Sequence, residues 1–500
     1  MSSKTADIAT SAADGDEDPI VILGAGPAGL ACALRILERS KRKVVVIDKA
    51  PFVGGAGGSF PWKKHTLDYG PHALHTRGGE PEQLIRDLFA DDPSVLLEGR
   101  KHIHVFLKSR KFRYPLQVGE ALLKFNPFLS LRIILEFMVT SLFHAAVSIP
   151  IENFENWGKK RFGAKLYKLG FGDYTEKVWK TKADKISVKF ASEKIQGFSF
   201  INLVKRLFRI GGSVAEPYYQ TWIYHRDGSG KMYDRMAERI RELGGVIKLN
   251  TSISSIEASG DKVESLEVMH GDTESRLACT HLVSSIPLPG LVALMGGEAP
   301  FVARYGASKL KYISLLAVFL EFDMDSVMDS HWIYLLDPCF RFNRISEQKN
   351  LSVHTMESGK TVVCLELTCR IGDDFWQMSD EEIEQMARED LASVTFLKHS
   401  IEHITDCLVK RVPSVYEIYY DGFQSHADVI LAYLREYDNL VSIGRRGLFL
   451  QGDQHQSMEM GLGVADMLAT ETFTRQSVDE YYRRYVRYID DPSPGAPGRS

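Results

Sequence analysis

Cysteine is sparse in this sequence, and no two cysteines stand close together. The 500 residues contain six cysteines, without a C-x-x-C pair. That spacing argues against a disulfide framework or a zinc site and suits a reducing compartment, so we expect a cytoplasmic protein. The histidines show no ligand spacing with carboxylates either, and we therefore expect no metal site.

A strong charge of either sign is also missing. The formal net charge of −4 gives no electrostatic footprint for nucleic acid, so we expect no nucleic-acid partner. Residues 1–18 have neither the apolar core of a secretory signal nor the arginines of a transit peptide, and we expect a disordered leader. Residues 481–500 are assigned as a C-terminal tail, rich in Pro, Gly and Ser from residue 491, which should fray.

The longest apolar run is interrupted. Residues 125–151 contain Pro127, Arg132, Glu136 and His144. A charge at the centre of a membrane helix costs about 2.5–3.5 kcal/mol on insertion scales, so a membrane span is disfavoured. We expect a buried or partly exposed helix here, with peripheral membrane contact as the alternative.

What the sequence does contain is a glycine-rich turn between a strand and a helix. Residues 20–23 are apolar and lead directly into the G-A-G-P-A-G of residues 24–29. Helical periodicity follows to residue 40, and the β-branched residues 44–47 form a second strand that Asp48 closes. This order predicts a βαβ unit with a parallel sheet and a right-handed crossover.

Each residue of the turn has a role in holding a dinucleotide. Gly24 permits the tight turn, Gly26 lets the backbone approach the pyrophosphate, and Gly29 lets the helix pack on the strand. Pro27 and Ala28 begin the helix, whose free N–H groups face the phosphates.

The end of the second strand gives the ribose contact. Asp48 can hydrogen-bond the adenosine ribose, and its charge would repel a 2′-phosphate, which disfavours NADP. We also assign Ile253, in a strand predicted over residues 252–257, to the cofactor-binding residues.

Two further segments indicate which dinucleotide is bound. Residues 49–59 contain a second glycine cluster, and residues 447–453 end in Gly-Asp. They resemble the G-G element and the closing motif of the FAD-dependent amine oxidase and protoporphyrinogen oxidase superfamily. The resemblance implies FAD as the cofactor. The resemblance also implies that Gly54, Gly55, Gly452 and Asp453 bind the cofactor. We assign Lys49, which follows Asp48, to the cofactor-binding residues as well.

A narrower resemblance runs collinearly along the chain. Residues 68–76, 173–179, 342–347 and 444–447 resemble the Y-G-x-H-x-x-H-T, Y-T-x-K-x-W, arginine-bearing and G-R-x-G elements of UDP-galactopyranose mutases. The resemblance implies that His72 lies at the flavin ring and that Arg344 contacts a substrate diphosphate. The sequence departs from the mutases at Phe449, where a tyrosine is expected.

Other helices and strands are predicted from the hydrophobic periodicity and from the turn-forming residues between the periodic segments. A mostly helical stretch is predicted over residues 122–208, and helices over 232–243, 379–397 and 457–469. Strands are predicted at residues 105–107, 112–114, 222–224, 246–249, 263–269, 282–285, 312–322, 361–367 and 447–450.

These elements predict an α/β fold, a Rossmann-like FAD-binding domain with an inserted α+β substrate domain. After the leader, the predicted segments are FAD-binding (19–110), helical cap (111–214), FAD-binding (215–290), antiparallel substrate domain (291–425), FAD-binding (426–480) and tail.

Two functions agree with this organisation. The first is an FAD-dependent oxidoreductase of the amine oxidase or protoporphyrinogen oxidase type, which takes a hydride from a small or medium organic substrate. The alternative is a UDP-sugar mutase, an isomerase that uses reduced FAD without net redox change and takes a nucleotide sugar. His72 and Arg344 are the candidate catalytic residues in both.

Overall fold

A computed structural model describes residues 17–75, 78–116, 118–147, 150–190 and 221–486. The strands are Ile20–Leu23, Val44–Ile47, Ser59–Trp62, His65–Asp68, Leu74–His75, Leu96–Arg100, Ile103–Leu107, Arg110–Arg113, Thr221–His225, Val246–Lys248, Thr251–Ser259, Lys262–His270, Thr273–Ala278, His281–Ser284, Tyr312–Phe322, Trp332–Leu335, Arg344–Glu347, Thr361–Cys369, Ile404–Glu417 and Leu440–Ser442. The α-helices are Pro27–Arg39, Glu80–Leu88, Val118–Lys124, Pro127–Ala146, Phe154–Phe162, Ala164–Tyr167, Asp173–Trp179, Gly230–Glu242, Leu288–Leu294, Phe301–Lys309, Asp374–Gln377, Asp380–Ser393, Phe423–Leu434, Gly444–Gly447, Gln454–Ala469 and Arg475–Tyr485.

A five-stranded parallel sheet forms the predicted Rossmann-like core. Its order is Val246–Lys248, Val44–Ile47, Ile20–Leu23, His281–Ser284 and Leu440–Ser442. The first and second strands of the chain are fully apolar and buried along their length, as a sheet covered on both faces requires. Three distant parts of the sequence thus build one sheet.

The last strand of this sheet corrects one prediction. Residues 447–450 are not a strand; the strand is Leu440–Ser442, which pairs with His281–Ser284. Residues 448 and 449 form a turn instead, and Phe449 has a positive φ of 52° that extended backbone excludes. The apolar character of this segment reflects burial in a turn rather than a place in the sheet.

A seven-stranded sheet forms the second layer. Its order is Ile404–Glu417, Tyr312–Phe322, Thr361–Cys369, Arg344–Glu347, Trp332–Leu335, Ile103–Leu107 and Arg110–Arg113. The helix Asp380–Ser393 packs its apolar side into the core of this sheet and begins with the predicted capping box of Ser379 and Glu382.

The hairpin 103–113 belongs to this second sheet. Strand Ile103–Leu107 pairs in parallel with Trp332–Leu335, so the boundary predicted at residue 110 falls inside the hairpin. Local sequence shows that the two strands pair with each other, but the sheet that they join is set by contacts far along the chain.

The predicted helical stretch is present as far as it is described. Helices occupy most of residues 118–179, including a π-helical segment at Lys168–Gly172, and residues 191–220 lie outside the described part. Among the described helices, none combines the length and the apolar composition needed to cross a membrane.

The two termini differ from each other. Residues 1–16 of the predicted leader lie outside the described residues. The predicted tail begins too early, because the helix Arg475–Tyr485 continues past residue 480. Val478, Tyr481 and Tyr482 are buried at helical spacing, which holds this last turn on the protein.

Candidate functional site

The first glycine turn is shaped by two different requirements. A Cβ on Gly24, whose φ is +101°, would lie 2.2 Å from Ser285 Oγ, and a Cβ on Gly29 would lie 2.0 Å from the Gly24 carbonyl oxygen. Packing therefore demands glycine at both positions. Around Gly26, by contrast, no atom of the described residues lies within 4 Å of a Cβ position. The space above Gly26 is open, as a site for pyrophosphate needs.

The second glycine cluster lies against this turn. The Gly54 N–H donates to the Ala25 carbonyl at 2.8 Å. Gly54 and Gly55 have positive φ, and a Cβ on Gly55 would lie 3.6 Å from Gly26 Cα. The two glycine segments thus form a cradle of backbone beside the N-terminus of the helix Pro27–Arg39, where a phosphate is stabilised.

Asp48 lies at the end of the second strand, as predicted. Its two carboxylate oxygens accept hydrogen bonds from the backbone N–H groups of Ala25 and Ala50, each at 2.8 Å. A carboxylate has about four acceptor positions, so hydrogen bonds to ribose hydroxyls remain available. Lys49 is exposed beside it, and Ile253 lies in the strand Thr251–Ser259, which begins next to Asp48.

The C-terminal motif places a second helix beside the first. Asp453 caps the helix Gln454–Ala469, and the Gln456 side chain accepts the Asp453 N–H at 2.8 Å. A Cβ on Gly461 would lie 2.1 Å from the Ala28 carbonyl, so the two helices pack at close range. Gly452 precedes the cap.

Gln454 connects the cradle to His72. Its Nε2 donates to the His72 carbonyl at 3.1 Å, and its Oε1 accepts the hydroxyl of Tyr233, whose ring covers Gly54 and Gly57. The path from Asp48 through the glycines to His72 is therefore continuous.

His72 is held by its backbone and has a free ring nitrogen. Its carbonyl also accepts Ser229 Oγ at 3.0 Å, while Nδ1 is buried without a hydrogen-bond partner in the described residues. Burial, with the charges of Arg344 and Arg445, lowers the pKa of His72 to about 3. The imidazole is therefore neutral at pH 7 and can hydrogen-bond a ligand.

Arg344 begins a strand of the seven-stranded sheet and forms an ion pair with Glu366. Arg344 Nε and Nη2 donate to the two Glu366 oxygens at 2.7 Å each, in a bidentate arrangement. The two side chains are 18% and 6% exposed. Burial opposes the charge of Arg344, but the Glu366 carboxylate keeps its pKa well above the usual value. Gly70 allows the loop that bears His72 to approach, since a Cβ there would lie 2.8 Å from Glu366 Oε1.

Four tyrosines surround this pair, and we call them the tyrosine wall: Tyr114, Tyr174, Tyr334 and Tyr416. The Tyr334 ring lies 5.1 Å from that of Tyr114 and 6.1 Å from that of Tyr174, and Arg344 lies over its face. Burial raises the pKa of Tyr174 and Tyr416. The phenols of Tyr174 and Tyr416 are therefore neutral at pH 7. The four side chains together offer aromatic rings with hydroxyl tips.

Lys177 and Arg445 hold the wall in place. Lys177 Nζ donates to the carbonyls of Leu335, Phe342 and Asp337 at 2.5, 3.2 and 3.3 Å, which closes the loop leading to Arg344. Burial lowers its pKa to about 8. Arg445 lies over the Tyr416 ring at 5.2 Å. The Y-T-x-K-x-W and G-R-x-G elements thus reach the same chamber as His72.

Asp68 is a buried acid beneath the His72 loop. It accepts Ser59 Oγ at 2.5 Å, the Tyr224 hydroxyl at 2.7 Å and the Ser229 N–H at 3.3 Å. Burial raises its pKa to about 6, although these hydrogen bonds oppose the shift. Since Ser229 also binds the His72 carbonyl, Asp68 helps to fix the position of His72.

Several of these residues were not predicted. Glu366 is the single charged residue in the apolar strand Thr361–Cys369, and such an isolated charge usually has a buried partner. That signal could have identified it. Tyr114, Tyr334 and Tyr416 carry no comparable signal, because they come from three separate segments of the chain. No group of ligands able to hold a metal is present among the described residues.

Comparison with solved structures supports the fold. The chain is similar to a reduced UDP-galactopyranose mutase, with a TM-score of 0.77, 17% identity, and coverage of 93% of this chain and 97% of the other. It is also similar to a protein of Exiguobacterium sp. 255-15 assigned as a protoporphyrinogen oxidase. The TM-score is 0.69 and the identity 15%, and the match covers 91% of this chain and 100% of the other. For putrescine oxidase bound to putrescine, the TM-score is 0.61 and the identity 14%, and the match covers 91% of this chain and 99% of the other. A search of curated proteins gave no significant match.

The sequence profile described as flavin containing amine oxidoreductase matches residues 27–463, most of the chain. FAD is the cofactor, and the site fits it: the open space over Gly26 can take the pyrophosphate, and His72 Nδ1 can bind the far end of the molecule. The chain belongs to the family of flavin-containing amine oxidoreductases.

Proposed function

We propose that this protein is an FAD-dependent oxidoreductase that takes a hydride from a small or medium organic substrate lying against the tyrosine wall. The observation that carries the proposal is the bidentate pair of Arg344 and Glu366. The Nε and Nη2 groups of Arg344 both donate to a buried carboxylate, which compensates the charge of the guanidinium. A nucleotide diphosphate needs uncompensated cations in a partly dry site, whereas an uncharged or weakly polar substrate does not.

The residues of the chamber have complementary tasks. FAD, when bound, supplies a two-electron acceptor. The tyrosine wall gives the substrate an apolar surface and excludes water from one side of it. The neutral His72 can donate or accept one hydrogen bond through Nδ1 without adding charge. Oxidation then removes a hydride and a proton from the substrate, and the proton leaves to solvent.

The test compares reduction with nucleotide binding. Candidate amines and other hydride donors are added anaerobically to the purified protein, and the visible flavin absorbance is recorded. UDP is titrated separately into the oxidised and the dithionite-reduced protein, with flavin fluorescence as the signal. We expect bleaching by at least one organic donor and no response to UDP. UDP binding in either redox state, without bleaching by any donor, would contradict the oxidoreductase proposal.

A UDP-sugar mutase is the alternative. It is supported by the convergence of Tyr174, Lys177 and Arg344 on one cluster, since they come from two elements that resemble mutases and are far apart along the chain. Phe449 speaks against it, because this residue has no hydroxyl and its ring packs in the core against Tyr419 and Phe423. Under the alternative, UDP would bind tightly to the wild type and Arg344→Lys would weaken it markedly, because lysine lacks the bidentate fork.

A further inference from the structure

The helix Pro127–Ala146 exposes an unusual row of apolar side chains. We call these residues the apolar stripe: Phe128, Leu131, Leu135, Met138, Val139 and Leu142. Their exposed fractions run from 52% to 84%. Apart from the adjacent Met138 and Val139, they recur every three or four residues, so they lie on one face of the helix over about 21 Å.

The stripe is not needed to hold the helix on the protein. The other face does that: Ile133 is buried, Ser130 Oγ donates to the Leu122 carbonyl at 2.6 Å, and a Cβ on Gly163 would lie 3.2 Å from Phe137 Cα. Single exposed apolar residues are normal on protein surfaces, but a contiguous row of this size marks an interaction surface.

The charge around the stripe indicates the partner. Residues 101–190 contain 17 lysines and arginines and 7 acidic residues, a formal charge of +10 in a chain whose total is −4. Arg132 on the helix itself, and Lys124, Lys159 and Lys168 near it, are 43% to 68% exposed. Each of the four also pairs with one acidic residue of the same region, so the excess positive charge comes from the other lysines and arginines of this segment. Apolar and basic surface therefore occur together in this region, while the remaining residues of the chain carry a formal charge of −14.

We infer that the apolar stripe lies in the surface of a bilayer that contains anionic phospholipids, with the helix parallel to the membrane plane. An amphipathic helix with lysine and arginine beside its apolar face binds in this way, and anionic headgroups add attraction for each basic residue. A second copy of the chain is a poorer partner. A twofold contact through the stripe would place the same basic surface against itself, and like charges oppose that contact.

The experiment is flotation of the flavin-loaded protein with vesicles of phosphatidylcholine, with and without phosphatidylglycerol. We expect binding to the anionic vesicles, weakened by salt, and much less binding to phosphatidylcholine alone. The double variant Leu135→Glu/Leu142→Glu should lower the affinity at least about tenfold. The control is Phe301→Glu/Val302→Glu, which changes an equally exposed apolar pair on another helix and should bind like the wild type.

Three outcomes would overturn the inference. They are absence of wild-type binding to anionic vesicles, equal loss of binding in the control variant, and a wild-type dimer in solution that the stripe variant converts to monomer. If the double variant fails to retain flavin, Leu142→Trp gives the answer. Its fluorescence should be quenched by brominated lipids in anionic vesicles, and no quenching there would also overturn the inference.

Discussion

The cofactor side and the proposed substrate side of this protein differ in the groups that form them, which are mainly backbone on the first side and side chains on the second. On the cofactor side, Gly24, Gly29 and Gly55 set the shape of the backbone, and Asp48 adds a charge that is held by two backbone N–H groups. On the substrate side, side chains form the site, and the buried pair of Arg344 and Glu366 is central. A substitution on the cofactor side should therefore act by filling space that the ligand or the backbone needs. A substitution on the substrate side should act by leaving a buried charge unpaired.

The largest effect is expected where space is open. Gly26→Val should abolish FAD binding, because the side chain enters the region where the pyrophosphate approaches the backbone. The protein itself should still fold, since no atom of the described residues lies within 4 Å of that position. Bound flavin is measured by absorbance after reconstitution, and folding by circular dichroism.

Gly29→Val sharpens this prediction. A Cβ at Gly29 would lie 2.0 Å from the Gly24 carbonyl, so this variant should lose its fold along with FAD. The matched control is Gly290→Ala, where the space is also open but no ligand is expected. Full flavin content in Gly26→Val would mean that the pyrophosphate lies elsewhere.

The second prediction concerns charge on the substrate side. Arg344→Ala leaves Glu366 buried without its partner and should lower the free energy of unfolding by about 3–5 kcal/mol. FAD content should stay near normal in the variant that folds, because the pair belongs to the other sheet. Urea titration measures the loss.

Two comparisons test the cause. Adding Glu366→Gln to Arg344→Ala should recover part of the stability, because the unpaired charge is then gone. Lys231→Ala breaks an exposed pair with Asp234 and should change the free energy of unfolding by about 0–1 kcal/mol. An equal loss in Lys231→Ala would show that burial of the pair is not the reason.

The cofactor side was the more predictable from sequence, for a physical reason. Gly24, Gly29 and Asp48 act within a βαβ unit in which strand, turn and helix are neighbours along the chain. Local periodicity therefore predicts both the elements and the geometry between them. The parallel pairing of the first two strands also follows, although the last strand of the sheet was predicted at residues 447–450 and lies at Leu440–Ser442.

The substrate side required the structure. Glu366 reaches Arg344 because the strands Arg344–Glu347 and Thr361–Cys369 pair side by side, which brings the two residues into direct register. Tyr114 joins them only because its hairpin adds to the same sheet. Long-range strand pairing has no short-range signal, so a sequence motif could suggest Arg344 without showing that its fork already faces a carboxylate.

The third prediction returns to the cofactor side, where charge has a smaller part. Asp48→Ala should weaken FAD binding by about 1.5–3 kcal/mol, since it removes charge-assisted hydrogen bonds without filling the cradle. Lys41→Ala is the comparator and should change the affinity little, because this exposed lysine precedes the strand Val44–Ile47, at the end opposite to Asp48. Fluorescence titration of apoprotein with FAD gives both values. An effect of Lys41→Ala as large as that of Asp48→Ala would contradict the placement of the ribose.

The smallest effect concerns the loop that contains Asp68 and His72, and it is measured as the dependence of the free energy of unfolding on pH. Asp68 has a folded pKa of about 6, raised by burial above the usual 3.8, so the folded state holds its proton longer. Its contribution to stability is present at low pH and is lost as pH rises through 6. His72 has a folded pKa of about 3, lowered by burial from 6.5, so its contribution is present above 6.5 and is lost as pH falls.

The two slopes oppose each other between about pH 4 and pH 6, and each amounts to about 2 kcal/mol over that window. Asp68→Asn should therefore make stability rise more steeply with pH than in the wild type, because only the His72 slope remains. His72→Gln should do the reverse. The double variant should return to the wild-type slope, and urea titration across this range measures all four proteins. If both single variants shift the slope in the same direction, the two groups do not titrate as their burial requires, and the Asp68–Ser229–His72 connection does not set the charge of the loop.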